Sequence, residues 1–224
     1  MINIPSIYQP YVSGKDFSGG LEVKFSSDKF PLFEPLTTRY QYICDLVLDK
    51  NVLHIGCADH PPLIHAKINN NTWLHSAITS RSAYCLGIDI NESGVKKCHE
   101  LGFKNTIIYD LQDSNLTLPL PPGQDMYDCA IVGEILEHVS DHCSFLLSLN
   151  KQLHNKCKTI LVTVPNAFYY KNFIASFRNV EIINTDHRFW FTLFTLSKIA
   201  NDAGFDIECF HTVSSRIPRF NFFK

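Results

Sequence analysis

The sequence predicts a doubly wound α/β domain, a mostly parallel sheet held between two layers of helices in a three-layer α/β/α arrangement. Three observations lead there. Six short apolar runs, at 52–56, 84–90, 106–110, 127–133, 159–164 and 205–213, have strand length but lack the polar alternation of a half-exposed sheet. Stretches with helical spacing separate them, as crossovers between parallel strands require. Several runs end on Gly or an acid, at the positions where such a sheet carries its ligand-binding loops.

Residues 1–35 scatter aromatics among Pro, Gly and Ser without periodicity and are predicted to be an irregular N-terminal arm. The main domain spans 36–224. A helical pattern at 36–48 leads into the first strand, Val52-Leu53-His54-Ile55-Gly56. The second run, Tyr84-Cys85-Leu86-Gly87-Ile88-Asp89-Ile90, is followed by helical spacing at Val95, Cys98 and Leu101 that stops at Gly102. Thr106-Ile107-Ile108-Tyr109-Asp110 is the third strand, and the Pro-rich loop 119–122 precedes the fourth at 127–133. A helix near 143–153 leads to the fifth strand, which Pro165 stops. Another helix at 194–203, closed by Gly204, leads to the sixth strand at 205–213. Residues 216–224 form either a brief last strand or a tail, and no internal repeat is present.

Composition excludes several classes. The 224 residues are 45% hydrophobic and 19% charged, enough apolar material for a core and too much for a disordered chain. Lys plus Arg number 20 against 22 for Asp plus Glu, a net charge of -2, so there is no electrostatic footprint for nucleic acid and no polybasic membrane patch. The eight cysteines match no zinc-knuckle or Cys-x-x-Cys spacing, and several sit inside apolar runs as small buried hydrophobes. No signal-peptide pattern opens the chain and no apolar run approaches membrane-spanning length, so a soluble, cytoplasmic protein is expected.

In a doubly wound sheet, ligands bind beyond the carboxyl ends of the strands, where strand order reverses. The candidates are therefore Gly56-Cys57-Ala58-Asp59-His60, Asp89-Ile90, Asp110-Leu111, Gly133-Glu134 and Pro165-Asn166. Gly56 allows a ligand to approach the backbone closely. An acid ending the second strand suits a pair of ribose hydroxyls, and equally suits capping of the next helix.

At these positions the chain resembles the class I S-adenosylmethionine-dependent methyltransferases, over about residues 36–213. Residues 52–58 resemble the first motif of that family, and Gly87-Ile88-Asp89-Ile90 the second. Tyr-Asp-Cys-Ala-Ile-Val-Gly-Glu-Ile-Leu-Glu-His at 127–138 is similar to the fourth-strand motif of the branch that holds ubiquinone-type O-methyltransferases. Thr163-Val164-Pro165-Asn166 and Asp186-His187-Arg188-Phe189-Trp190-Phe191-Thr192 are similar to later segments of the same branch. Two departures are visible: His54 stands where the first motif usually has an acid, and Ala58 and His60 stand where it has Gly. With Trp73-Leu74-His75 downstream, this variant resembles a branch associated with capsule and cell-surface polysaccharide biosynthesis.

The resemblance implies a Rossmann-like methyltransferase fold and S-adenosyl-L-methionine as cofactor, with S-adenosyl-L-homocysteine as product. It implies that the backbone of Gly56, Cys57 and Ala58 lies against the methionine part, that Asp89 binds the ribose, and that Ile90 packs on the adenine, while His54, like His60 and His75, either lines the cofactor pocket or makes a turn hydrogen bond. Asp110 and Leu111 would meet the adenine edge, and Gly133 and Glu134 would line the wall near the sulfonium.

A hydroxyl acceptor must lose a proton during methyl transfer, and imidazole titrates in the right range to take it. His138, after the fourth strand, is a candidate base or a residue holding Glu134 or Glu137 in place. His187 is a candidate base, an acceptor contact or a loop anchor. Arg188 is a candidate contact for an anionic acceptor group or a salt-bridge partner. Asn166 and Tyr169 are placed with the substrate, and Tyr169, Tyr170, Phe173 and Phe177 have helical spacing that fits either sugar stacking or helix packing. His54, His60, His65 and His75 lack metal-ligand spacing, and no metal is expected. Trp73 is a core residue or a pocket wall.

The predicted function is O-methylation of a sugar hydroxyl in a bacterial surface polysaccharide or its precursor. Small phenols, quinone precursors and amines are the alternative acceptors, and a non-catalytic nucleotide-binding or scaffold protein is the rival from another class. A dehydrogenase would want Gly-x-Gly-x-x-Gly where Gly56-Cys57-Ala58-Asp59-His60-Pro61 stands. The expected partner is a small molecule or glycan and not nucleic acid, and the arm with Tyr8, Tyr11 and Phe17 is either a lid or a homo-oligomer contact.

Overall fold

A computed structural model describes residues 2–27, 37–59 and 61–213. The start of the predicted first helix, His60, and the predicted last strand or tail at 216–224 lie outside the described residues.

Among its described residues the N-terminal arm carries short regular elements. Strands β1 (Ile2–Asn3) and β2 (Ser26–Ser27) pair antiparallel. Between them a 3-10 turn at Ser6–Tyr8 runs into the short helix α1 (Gln9–Val12). Pro10 sits in the first turn of α1, where its missing N–H costs nothing. The arm docks on α8 (Leu193–Asp202): Val12 is buried, and Lys198 Nζ donates to the carbonyls of Tyr11 at 3.3 Å and Val12 at 3.5 Å.

The central sheet has five strands: β3 (Asn51–Ile55), β4 (Tyr84–Asp89), β5 (Thr106–Ile108), β6 (Tyr127–Gly133) and β7 (Cys157–Thr163). Their order is β5-β4-β3-β6-β7, and all four pairings are parallel. The chain winds outward from β3 to β5, returns, and winds the other way through β6 and β7. The switch point lies between β3 and β6, where Ile55 pairs with Val132.

Both faces are covered, which explains the unbroken apolar runs. Leu53, Ile55, Leu86, Ile88, Ala130 and Val132 face one core, with Phe145, Leu146, Leu149 and Leu153 of α6 (His142–Leu153). Val52, Cys85, Cys129 and Ile131 face the other, against Ile43 and Val47 at α2 (Arg39–Leu46) and Ile78 of α4 (Leu74–Arg81). Burying each such side chain contributes roughly 1.5–3 kcal/mol. A third cluster holds Ile64 of α3 (Pro61–Asn69), Trp73 and Cys98 of α5 (Glu92–Glu100), so Trp73 is a core residue and not a pocket wall.

All eight cysteines are free thiols: Cys44, Cys57, Cys85, Cys98 and Cys129 are buried, Cys157 and Cys209 are partly exposed, and Cys143 is exposed. Among the described residues no helix is long and apolar enough to cross a membrane.

The predicted sixth strand does not form: 205–213 is irregular apart from a single bridged residue at 210. Contrary to the expectation of a run without polar alternation, Asp206 and Glu208 alternate with apolar neighbours there, unlike the central strands β4 and β6. Among the described residues β7 is left as the sheet edge, with Lys158 and Thr159 exposed along it, and a lysine is what discourages further pairing.

Gly87 marks a close approach between layers. A Cβ there would lie 2.8 Å from each of Cys57 Sγ, His75 Cε1 and Thr106 Cγ2. Gly87→Ala is therefore expected to destabilise the protein by about 1–3 kcal/mol. The check is urea denaturation, in which the midpoint falls and the slope stays constant.

Candidate active site

The chain leaves β3 through Gly56, whose φ of +70° favours glycine. A Cβ at this position would lie 2.6 Å from Ile135 Cδ1, so the turn has no room for a side chain. The N–H groups of Gly56 and Cys57 both donate to Ile88 O, at 2.9 and 3.2 Å. Ala58 N donates to Asp89 Oδ2 at 2.9 Å, and Asn91 N donates to Asp89 Oδ1 at 2.9 Å. Burial pushes the Asp89 carboxyl up, and these backbone N–H groups oppose the shift. The capping alternative for Asp89 fails, because Asn91 is the N-cap of α5 and its side chain accepts from Gly94 N at 3.1 Å.

Ile90 follows with 73% of its surface exposed. Asp110 is exposed beyond β5, and its Oδ1 accepts from Gln112 N at 2.9 Å. The Leu111 side chain is buried and belongs to the core cluster that holds Ile88 and Leu118.

His54 departs from expectation. It is buried, with Nδ1 3.0 Å from Nδ1 of the equally buried His75 and the two rings stacked at 5.2 Å. One ring donates and the other accepts, so the pair is satisfied internally and does not line an open pocket. Burial drives His54 well below the usual imidazole range and His75 down to about 4. His65 is exposed, and Cys57 contributes backbone only, its thiol buried against Cys98 and held protonated.

The other half of the site follows β6. Gly133 ends β6 beside Leu74 and Arg39: a Cβ there would meet Leu74 Cδ2 at 3.4 Å and Arg39 Nη1 at 3.5 Å, in ordinary contact. Glu134 has φ +56°, the left-handed region that costs a non-glycine residue about 1–2 kcal/mol and that recurs at functional sites. Its N–H donates to Thr163 O at 3.0 Å, and its carboxylate pairs with Arg39 Nη2 at 3.2 Å. A 3-10 turn at Leu136–His138 then turns Glu137 fully inward. Burial, reinforced by the charge of Glu134, raises the Glu137 carboxyl to about 7.

A distant segment closes over this turn. Arg188 N donates to Glu137 O at 2.7 Å, and the Arg188 guanidinium donates to His138 O. His138 Nδ1 donates to Asp186 O at 3.1 Å, and the His138 and His187 rings meet edge to face at 4.8 Å. His187 Nε2 lies 3.9 Å from Glu137 Oε1. Burial, then the neighbouring His138, hold His187 below the usual imidazole range. The structure thus brings His138 and His187 together beside Glu137 and Glu134.

Among the described residues Arg188 makes no ion pair, so the salt-bridge alternative does not appear, and its Nη1 donates to the carbonyls of His138 and Asp186. Asn166 spends its Oδ1 on Phe168 N at 2.9 Å in a loop turn, so it is a local brace. Tyr169 is exposed and precedes α7 (Tyr170–Ser176). The helix-packing alternative fails for these aromatics, since Phe168, Tyr169, Tyr170, Phe173 and Phe177 are all exposed and only Ala175 of α7 is buried. Glu137 and Arg39 are the residues that sequence reasoning left out of the site. The signal for Glu137 was the spacing Glu-x-x-Glu-His, two acids three residues apart ahead of an imidazole.

A family model for methyltransferase domains matches residues 32–209, and the chain belongs to this family. The five-stranded switch-point sheet is that of a class I S-adenosylmethionine-dependent methyltransferase domain. Among solved structures, the chain is similar to the YcgJ protein from Bacillus subtilis, at 15% identity and TM-score 0.47 over 73% of this chain and 66% of that one. An S-adenosylmethionine-dependent methyltransferase from Mesorhizobium loti shows 18% identity and TM-score 0.37 over 57% of this chain and 52% of that one. A SAM-dependent methyltransferase from Aquifex aeolicus shows 16% identity and TM-score 0.45 over 79% and 84%. The chain therefore spans under two thirds of the length of the first two. No curated protein matches it.

The His54–His75 pair has a measurable consequence. Both imidazoles are neutral in the folded protein and titrate near 6.5 when unfolded, so below that pH the unfolded chain binds more protons. Stability is expected to be full above pH 6.5 and to fall as pH drops toward about 4, by up to roughly 1.4 kcal/mol per pH unit for each imidazole. Denaturant unfolding between pH 5 and 7.5 reads this slope, and His75→Gln is expected to flatten it.

Proposed function

We propose that the protein transfers a methyl group from S-adenosylmethionine to an oxygen acceptor, a sugar hydroxyl of a bacterial surface polysaccharide or its precursor. The observation that carries the reaction is the pair His138 and His187 against two carboxylates at the end of β6, facing the switch point from the side opposite Asp89.

The residues present fit the cofactor. At Gly56 the absent side chain leaves bare backbone at the turn. Each Asp89 oxygen accepts one backbone N–H, which leaves acceptor capacity for a ribose diol. The exposed face of Ile90 suits an adenine ring, and the Asp110 carboxylate suits its amino edge. Glu134 and Glu137 place negative potential where a cationic sulfur would lie. S-adenosylmethionine supplies a methyl carbon already activated by that positive charge.

The chain's own tasks are then alignment and proton removal. His138 is fixed by its Nδ1–H bond to Asp186 O, so Nε2 carries the lone pair that receives the acceptor's proton. His187, kept neutral by burial and by His138, stands edge-on as the second proton acceptor. Arg188 positions both by holding the 186–188 segment onto the 3-10 turn. The exposed rings of Tyr169, Tyr170 and Phe173 support a sugar as acceptor, since flat aromatic faces stack on pyranose rings. The polysaccharide assignment itself rests on the sequence resemblance.

Calorimetric titration with S-adenosylmethionine and S-adenosylhomocysteine tests the reading. Saturable one-to-one binding is expected, weakened at least about tenfold in Asp89→Ala, a loss of roughly 1.4 kcal/mol or more. His138→Ala is expected to bind both ligands normally and to lose turnover by about 10²–10⁴-fold. Failure of the folded protein to bind either ligand would move it to the scaffold class, and activity that survives His138→Ala but vanishes in His187→Ala would reassign the base.

A further inference from the structure

We propose that Glu137, His138 and His187 form a binding site for one divalent first-row transition-metal ion. Each offers a ligand atom, and these atoms all lie within 4.8 Å of one another. Glu137 is fully buried, yet neither of its carboxylate oxygens has a hydrogen-bond partner. Leaving a buried carboxylate without a donor is expensive, and something positively charged normally answers it. Neither nearby guanidinium bonds it: Arg39 pairs with Glu134 and acts on Glu137 only at a distance, and Arg188 Nη1 is bonded to the carbonyls of His138 and Asp186.

The imidazoles favour a metal ion over a lone proton. Metal-bound histidines characteristically donate their second ring N–H to a carbonyl or carboxylate, which fixes the tautomer. His138 does this through Nδ1 to Asp186 O, leaving the Nε2 lone pair available. His187 presents Nε2 to Glu137 Oε1 at 3.9 Å. Ligand atoms at 2.0–2.2 Å from a common ion stand roughly 3–3.5 Å apart, so closure asks for shifts of about 1 Å within existing rotamers. The backbone already holds the set, since Arg188 N bonds Glu137 O at 2.7 Å across fifty residues of sequence. Two nitrogens and one oxygen suit manganese, iron, cobalt or zinc better than calcium or magnesium. Glu134 adds negative potential, since its charge acts on both Glu137 and His187.

The role of the ion rests on the methyltransferase reading above. It would bind the acceptor hydroxyl in an open coordination position and lower its pKa. The O–H bond breaks with its proton passing to solvent, the oxygen forms a bond to the methyl carbon, and the carbon–sulfur bond breaks to leave a neutral thioether. With the ion bound, His138 and His187 would act on the hydroxyl through it, and the proton-acceptor role given to them above would apply to the metal-free protein.

The test uses the full chain without an affinity tag, stripped with EDTA and titrated with Mn(II) alone, followed by electron paramagnetic resonance of the free ion. One equivalent is expected to bind. Glu137→Gln and His187→Asn are each expected to weaken binding by roughly 100-fold while retaining the wild-type circular dichroism spectrum. Asp89→Ala is expected to bind Mn(II) as the wild type does. No saturable uptake by the folded wild type, or equal uptake by both ligand variants, would overturn the proposal. S-adenosylhomocysteine is titrated in parallel: its binding without Mn(II) uptake overturns the metal site alone. Mn(II) uptake without S-adenosylhomocysteine binding upholds the site and overturns the reaction assigned to it.

Discussion

The carboxylate of Asp89 is the constraint on which the open end of the sheet depends. It accepts an N–H from Ala58, in the turn after β3, and one from Asn91, in the turn after β4. Two crossovers that would otherwise be independent loops are thereby fixed to each other at the strand ends. Gly56 completes the arrangement, because both it and Cys57 point their N–H groups back at Ile88 O. Charge-assisted bonds of this kind are stronger than neutral ones, and burial makes their loss more costly. The carboxylate that would receive a ribose is thus the same group that shapes the turn beside it.

The β6 end is organised on a different principle. Glu134 adopts a left-handed backbone that few acids occupy, and Glu137 is buried without a donor. Local conformation and local solvation are both unfavourable here. The structure tolerates this because the 186–188 segment and Arg39 brace the turn from outside. Sites that depart from the rules satisfied elsewhere in a fold are where chemistry is normally located. The contrast with the hydrogen-bonded β3–β4 end is consistent with one half that binds and one half that reacts.

Much of this was legible in the residues. The five strands announced themselves as apolar runs, most plainly the central β3, β4 and β6, which are covered on both faces, and the strand-end acids followed from the parallel topology. Three things were hidden. The strand at 205–213 was overcalled because its apolar residues are real but its intervening Asp206 and Glu208 have no buried sheet to join. His54 read as a pocket residue because it stands two positions before the Gly56 turn, whereas a partner 21 residues away, His75, holds its ring in the core. Arg188 and Asn166 read as substrate contacts because polar side chains near a site invite that reading, and only the tertiary structure reveals the backbone groups that Arg188 Nη1 and Asn166 Oδ1 also engage.

The distribution of thiols makes the molecule a record of its own opening. Cys143 lies at the surface, Cys157 and Cys209 are half covered, and five others are buried, four within α2, β4, α5 and β6 and Cys57 in the turn after β3. A thiol reacts only while solvent reaches it, so the order in which these groups become alkylated ranks the layers by how readily they separate. The pair Cys57 and Cys98 reports specifically on the turn after β3, where α5 seats against it. Any ligand that tightens that turn would slow those two thiols while leaving Cys143 unchanged, so cysteine reactivity reads occupancy without a label being introduced.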